Sequence, residues 1–553
     1  MKKALLAIAV SIVMAGVAQA GNDDDHHSEH FEFQPGTLVL SRSVYTGTPS
    51  LLTPGVTVLP PGCVAGTVNV PLIAGGTTPV TVACAKAVAD GTYPTVFNND
   101  TVDGSFGITS PIFLDNLTTR GQRLGTLAIP TDQIVTSFSS KSEVALNLSL
   151  DGKSITFMGY RGGPGFLTAP NQFDISNSNT PGVVDPSNPV SSQYFRAVAE
   201  VDSDGHLRIT EGNAYSGNNG RAAIKGDSLY YMTGNDNNGG LSKTQLNTTQ
   251  VGVDLVRSTG AELLVPGQAP PLPPNITMIG DFEVTQPSVG YKTADKPGKD
   301  NNFRGLTIFN HTMYVTKGSG VNGINTVYQV GNAGVLPSGD AATLEKLPIT
   351  ILPGFPTTLA SGVALDGSTK NPVAFPFGIW FANASTLYVC DEGDGTLVTP
   401  AVNGNVADTA SQATAGVQKW ILTAGVWKLA YVMNAGLNIG VPYSVENYPT
   451  ALNPATDGCR NITGRVHRNG TVSIFAVTST SSASGDQGAD PNLLVRVTDK
   501  LDATTLPTGD GDHDADDSFG HFTIIRHAKS GEVLRGVAFA PQDRDDDRHG
   551  DDD

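Results

Sequence analysis

Short runs of alternating apolar and polar residues, separated by Gly, Asn and Asp turns, fill most of the chain. That period of two is the pattern of half-buried strands, and helix-period stretches are scarce. One compound pattern returns six times: an apolar run, a Gly/Asn turn, then a second run ending in a Tyr/Phe-Val/Met pattern. Five instances are SEVALNLSLDGKSITFMG (142–159), GRAAIKGDSLYYMTG (220–234), FRGLTIFNHTMYVTKG (303–318), FPFGIWFANASTLYVCDEG (375–393) and CRNITGRVHRNGTVSIFAVT (459–478). The sixth, LRGVAFAP (534–541), stops after its first strand. Counted from Glu143, Arg221, Arg304, Pro376, Arg460 and Arg535, the spacings are 78, 83, 72, 84 and 75 residues. Near-periodic repetition of short strands predicts an all-β, six-bladed β-propeller in which each motif supplies the inner strands of a blade.

The other strands fall between the motifs. FRAVAEVDSDGHLRIT (195–210) reads as a hairpin turning at Asp204-Gly205. INTVYQVG (324–331) and KLPITIL (346–352) complete another blade, and GVQKWILTAGVWKLAYV (416–432) a further one. The sixth motif lacks partners downstream, but TLVLSRS (37–43), PIFLDNL (111–117) and LGTLAIP (124–130) are unassigned at the N-terminal end. Joining both ends in one blade closes the ring and removes exposed strand edges. The expected propeller runs from 36 to 541, with a Gly/Pro/Thr/Val-rich β insertion at 46–110. An Asp/His-rich segment (21–35) precedes it, and an acidic tail (542–553) with little to bury follows and is expected to be disordered.

Residues 1–20 have the form of an export signal: Lys2 and Lys3, an apolar run from Leu5 to Val13, and the small-residue site Ala18-Gln19-Ala20. A secreted or periplasmic protein is therefore expected. No later segment has 18 consecutive apolar residues, so no transmembrane helix is expected. Removing Lys2 and Lys3 with the signal takes the formal charge from −18 to −20. Such a balance disfavours nucleic acid and anionic membrane, which need a basic footprint. A monomer is expected. Four cysteines in an exported chain point to disulfides, Cys63 with Cys84 across the insertion and Cys390 with Cys459 between successive blades.

GTLVLSRSVYTGT, SPIFLDN, the Tyr215-Ser216-Gly217-Asn218-Asn219 stretch with Arg221, VQKWILTAGVWKLAY and LRGVAFAP resemble a group of exported bacterial β-propeller proteins of unassigned activity. The resemblance covers most of 36–541 and departs at the insertion, the Cys390/Cys459 pair and the charged termini. It implies the fold and export and supplies no catalytic residue.

Three sets of residues carry candidate chemistry. Arg221, Arg304, Arg460 and Arg535 occupy nearly the same phase of four motifs, with Asn219, Asn302 and Asn461 beside them. Inner-strand starts surround one mouth of a propeller's channel, so these side chains would converge on a small anionic ligand, for which the guanidinium fork is suited. The alternative is that each Arg pairs with a neighbour such as Glu143, Asp391 or Glu392 and braces adjacent blades. A second set, Asp510, Asp512, Asp514 and Asp516, alternates carboxylates as a hard cation such as calcium requires. It lacks the glycine and bidentate glutamate of an EF-hand loop, and a solvated acidic loop is the alternative. Third, His26, His27, His30 and the Asp-rich termini offer loose metal ligands. Signatures such as G-x-S-x-G, H-E-x-x-H and the P-loop are missing. The leading reading is a binding or surface-interaction protein, for a small anion or an extracellular surface component, acting at the channel mouth. A calcium-assisted lactonase or esterase at the same mouth, by analogy with lactonase-like propellers, and a metal-sequestering protein are the alternatives.

Overall fold

The computed structural model describes residues 31–45, 110–162, 196–215, 220–234, 261–267, 276–295, 300–363, 373–394, 414–481, 488–509 and 518–542, apart from 139, 213, 281–283 and 321. It also describes the backbone of short strands in the insertion. In chain order, β1 (Leu38–Val44) precedes the insertion strands β2 (Val58–Leu59), β3 (Gly66–Pro71), β4 (Thr77–Val82), β5 (Ala85–Lys86), β6 (Val88–Ala89), β7 (Phe97–Asn99), β8 (Asp103–Gly107) and β9 (Thr109–Ser110). Next come β10 (Ile112–Leu117), β11 (Arg123–Ala128), β12 (Ile134–Ser137), β13 (Asn147–Leu148), β14 (Ser154–Arg161), β15 (Arg196–Asp202) and β16 (Leu207–Gly212). The run β17 (Gly220–Lys225), β18 (Tyr230–Gly234), β19 (Ala261–Leu264) and β20 (Ile276–Met278) forms one sheet in sequence order. So does β21 (Leu306–Phe309), β22 (Thr312–Lys317), β23 (Thr326–Val330) and β24 (Ile349–Ile351). The same holds for β25 (Pro376–Asn383), β26 (Thr386–Asp391), β27 (Gly416–Thr423) and β28 (Val426–Met433), and for β29 (Ala455–Val466), β30 (Thr471–Ser481), β31 (Leu493–Lys500) and β32 (Thr523–His527). The last strand is β33 (Glu532–Phe539).

The fold is all-β and propeller-like. Five four-stranded antiparallel sheets are present among the described residues, and the fifth of them is composite, ordered β11-β10-β1-β33. A further sheet runs β16-β15-β14-β12-β9, with β13 also paired to β14. Leu40 lies opposite Val537 and Arg42 opposite Leu534, so the C-terminal strand pairs beside the first N-terminal one. Arg42 braces that pairing: its Nε donates to Asp115 at 2.9 Å on one side and its terminal nitrogen to Glu532 at 3.1 Å on the other. Asp115 also receives Arg526 of β32 at 2.8 Å, tying the composite sheet to its neighbour. The first strands touch in order, β13 to β17, β21, β25, β29 and β33, and β33 touches β13.

Burial explains why the strands read as they do. The second strands β18 and β26 are buried along their whole length, because sheets cover both of their faces, whereas the outer β28 and β11 are largely exposed or half-buried. Between neighbouring sheets, Ile224, Phe303, Leu306, Val315 and Tyr328 form one apolar layer. Phe355, Phe381, Leu387, Trp420 and Trp427 form another. Each such side chain contributes about 1.5–3 kcal/mol on burial. Phe33, within the segment read as a polar leader, is also core: it stacks edge-on with Phe31, and its N–H donates to Ser203 O at 2.8 Å.

Cys390 and Cys459 form a disulfide, Cα–Cα 5.2 Å, stapling β26 to β29 as their places in successive motifs predict. Cys63, Cys84, Asp510, Asp512, Asp514 and Asp516, together with residues 1–30 and 543–553, lie outside the described residues. No helix of the described residues is long and apolar enough to cross a membrane.

Candidate functional site at the heads of the first strands

A latch repeated at three sheet junctions places Arg304 at the same point as residues of two other sheets. A hydroxyl on the second strand of one sheet donates to the carbonyl at the head of the next sheet's first strand. Ser41 reaches Val144 O at 2.7 Å, Thr233 reaches Arg304 O at 3.5 Å and Thr316 reaches Phe377 O at 2.5 Å. The residues in phase with Arg304 are therefore Val144 and Phe377, one beyond the motif positions Glu143 and Pro376. A slip of one residue turns a strand side chain to the opposite face. Glu143 accordingly points away from the arginine set. It accepts from Thr136 Oγ1 at 2.8 Å, and burial pushes its carboxyl up against the opposing influence of Tyr160 and Arg196. Val144 itself has φ +63°, a left-handed conformation rare for a β-branched residue, which is where the alternation breaks.

Glycines let the heads approach. A Cβ on Gly378 would lie 2.6 Å from Arg460 O, and one on Gly305 would overlap Phe377 O. The space left between the first strands, lined by Ala145, Ala222, Gly305, Gly378, Arg304 and Arg460 among others, is about 10 Å³, room for roughly one water. The channel is plugged by backbone at this level.

At the mouth the arginines divide into two groups. Arg535 donates Nε to Ser43 at 2.9 Å and its terminal nitrogens to the carbonyls of Ser140 and Phe138. Arg221 donates to Asn302 Oδ1, to Phe303 O at 3.2 Å and to Ser142 Oγ at 3.0 Å. Apart from Arg535 to Ser43, which lies within the composite sheet, these contacts cross between sheets and brace them. Arg304 shares Ser142 Oγ, also at 3.0 Å, and donates to Ser319 Oγ. Arg460 pairs through Nε with Glu392 at 3.1 Å, and Lys141 Nζ lies 3.5 Å from the same carboxylate. Lys141 and Ser142 are adjacent, so the Ser142 and Glu392 clusters form one polar patch. Of the asparagines, Asn302 serves Arg221, Asn461 Oδ1 accepts from Val537 N at 2.6 Å, and Asn219 lies outside the described residues.

The electrostatics centre on Glu392. Burial alone would raise its carboxyl, but Lys141, Arg460 and Arg304 together hold it below the usual carboxylate range. Lys141 is pushed down to about 8, first by burial and then by Arg460 and Arg304, with Glu392 opposing. Asp391, fully buried next door, is pushed up to about 7 by burial and by Glu392, although Phe375 N and Gly393 N donate to it. Asp457 lies against Gly393 on the far side. On the opposite flank, Lys317 is fully buried and donates to Asn325 Oδ1 at 2.9 Å and Ser319 O at 3.1 Å. Burial lowers it to about 7. Sequence spacing found Arg304 and Arg460 and named Glu392 as a partner, but it missed Lys141, Ser142, Lys317 and Ser319. Their signal is positional: Lys317 ends β22 and Glu392 lies one residue past β26, where second strands reach the neighbouring heads.

No group of three metal-ligating side chains is present among the described residues. No family model matches the chain, and no curated protein matches it. Among solved structures, the hemagglutinin-neuraminidase of parainfluenza virus 5 with ligand DANA is similar at 8% identity, over 79% of this chain and 88% of that one, with a TM-score of 0.28. Its ectodomain is similar at 9% identity over 90% and 89%, with a TM-score of 0.29. An ACO/RPE65 chimera is similar at 8% identity over 86% and 64%, with a TM-score of 0.19. At these TM-scores the likenesses carry no argument about function.

Proposed function

We propose that the chain is an exported six-bladed propeller, closed by β33 beside β1, that binds a small carboxylate or similar anion at the mouth above Ser142 and Glu392. Six first strands in a cyclic chain of contacts support the blade count, and the β1–β33 pairing supports closure. The signal-like residues 1–20 and the family resemblance support export. The observation that carries the binding reading is the convergence of Lys141, Arg304 and Arg460 on one carboxylate, Glu392. An external carboxylate meets the same charge-assisted donors that Glu392 uses from within. Arg221 and Arg535, with donors committed across sheets, serve as braces in this reading.

The test is calorimetric titration of the full chain with lactate, phosphate and a sugar acid, beside Arg304→Ala and Arg460→Ala, with melting temperatures for each. Binding that weakens by about 1.5–3 kcal/mol in either variant, the range for a charge-assisted hydrogen bond, supports the site. Loss of stability with no anion bound by the parent protein would leave bracing as the whole role of the cluster.

A further inference from the structure

Lys141 stands apart from the other cations of the mouth by its access to solvent. Its side chain is 27% exposed, whereas that of Arg460 is 6% exposed. Lys317 is shut away entirely, and its Nζ is taken by Asn325 and Ser319. Lys141 thus places a partly exposed primary amine beside guanidinium and carboxylate. We propose that this site takes a 2-oxo carboxylate and holds it as an imine on Lys141 Nζ, a reading that rests on the carboxylate site proposed above.

The juxtaposition suits that class of ligand. In a 2-oxo acid the carbonyl carbon is bonded directly to the carboxylate. A carboxylate drawn to Arg304 and Arg460 therefore brings the carbonyl to the residue beside them. Attack requires the neutral amine. Burial, Arg460 and Arg304 favour that form, and Glu392 is the opposing group. With an amine at about 8 instead of the ordinary 10.5, the neutral fraction at pH 7 rises on the order of a hundredfold. The amine nitrogen bonds to the carbonyl carbon, whose oxygen becomes a hydroxyl. Glu392, 3.5 Å from Nζ, carries the two protons that nitrogen sheds to this oxygen in turn, the first making it the hydroxyl and the second releasing it as water. One imine and one water result from one amine and one carbonyl, with no change of oxidation state.

The experiment uses the full chain, pyruvate and borohydride, which reduces an imine to a stable secondary amine, followed by peptide mass mapping. Lactate, which keeps the carboxylate and lacks the carbonyl, is titrated in parallel. We expect adduct at Lys141 to exceed that at the exposed Lys292 and Lys529 by roughly tenfold or more. Lactate should compete it away, and Lys141→Met should lose it. Because the mapping is done on the parent protein, a poorly folding variant leaves the result intact. Lactate binding with no adduct, or adduct spread evenly over surface lysines, overturns the imine and leaves the carboxylate site standing. Failure of both lactate and pyruvate to bind overturns the site and the imine together.

Discussion

Glu392→Gln separates the structural from the binding role of the mouth because the two readouts move in opposite directions. The substitution keeps volume and one acceptor oxygen but removes the charge that Lys141, Arg304 and Arg460 surround. Arg460 and Glu392 are both nearly buried at 3.1 Å, so water cannot replace the lost partner. Breaking a buried pair from one side costs about 3–5 kcal/mol, and the retained Gln oxygen recovers the neutral share of one hydrogen bond, about 1 kcal/mol. A net loss of about 3 kcal/mol is expected, read from denaturant midpoints of the full chain. Anion affinity should rise, because an internal competitor for the same donors has gone. One charge-assisted hydrogen bond made available corresponds to about tenfold or somewhat more in Kd. Calorimetric titration with lactate at low ionic strength checks the second half. A variant that loses stability and also binds lactate more weakly would show that Glu392 helps to form the ligand site, and would refute this account of the patch.

Three further outcomes follow from the same geometry. Gly305→Ala should destabilise by about 1–3 kcal/mol, since its Cβ would overlap Phe377 O and push adjacent heads apart, whereas Gly425→Ala meets no atom and tests only the loss of a left-handed turn; paired melting curves compare them. Replacing Cys390 and Cys459 together by serine opens a cross-link spanning 69 residues and should lower stability by about 4 kcal/mol in the chain-entropy account, measurable by denaturation of parent and variant under oxidising conditions. Asp391 has a folded pKa of about 7, above the value near 4 of an unfolded aspartate, so the stability it contributes is present below about pH 4 and lost as pH rises through about 7. Asp391→Asn should flatten the fall in unfolding free energy across that window; an unchanged pH profile would show that Asp391 does not titrate there.

The architecture was legible because strands obey local rules. Alternation, Gly/Asn turns and the recurrence of one compound motif marked β17–β18, β21–β22, β25–β26 and β29–β30, and the orphaned LRGVAFAP pointed to the N-terminal strands beside which β33 pairs. The cysteine pair followed from its place in successive motifs. The candidate site was legible only in part, because periodicity fixes the head of a strand to within a residue or so and the face of a side chain needs better than that. The bend at Val144, with its positive φ, shifted the phase by one and took Glu143 out of the set. Lys141 and Ser142 precede any strand of their motif, so no periodic signal marks them. Whether an arginine braces or binds depends on what stands within about 3 Å of its nitrogens. For Arg535 that is Ser43 and the carbonyls of Ser140 and Phe138, and for Arg460 it is Glu392, all brought there from distant parts of the chain. Local sequence determined the strands, their turns and their order around the molecule; their radial packing alone decided which charges meet, because those contacts run between sheets and leave no period in the chain.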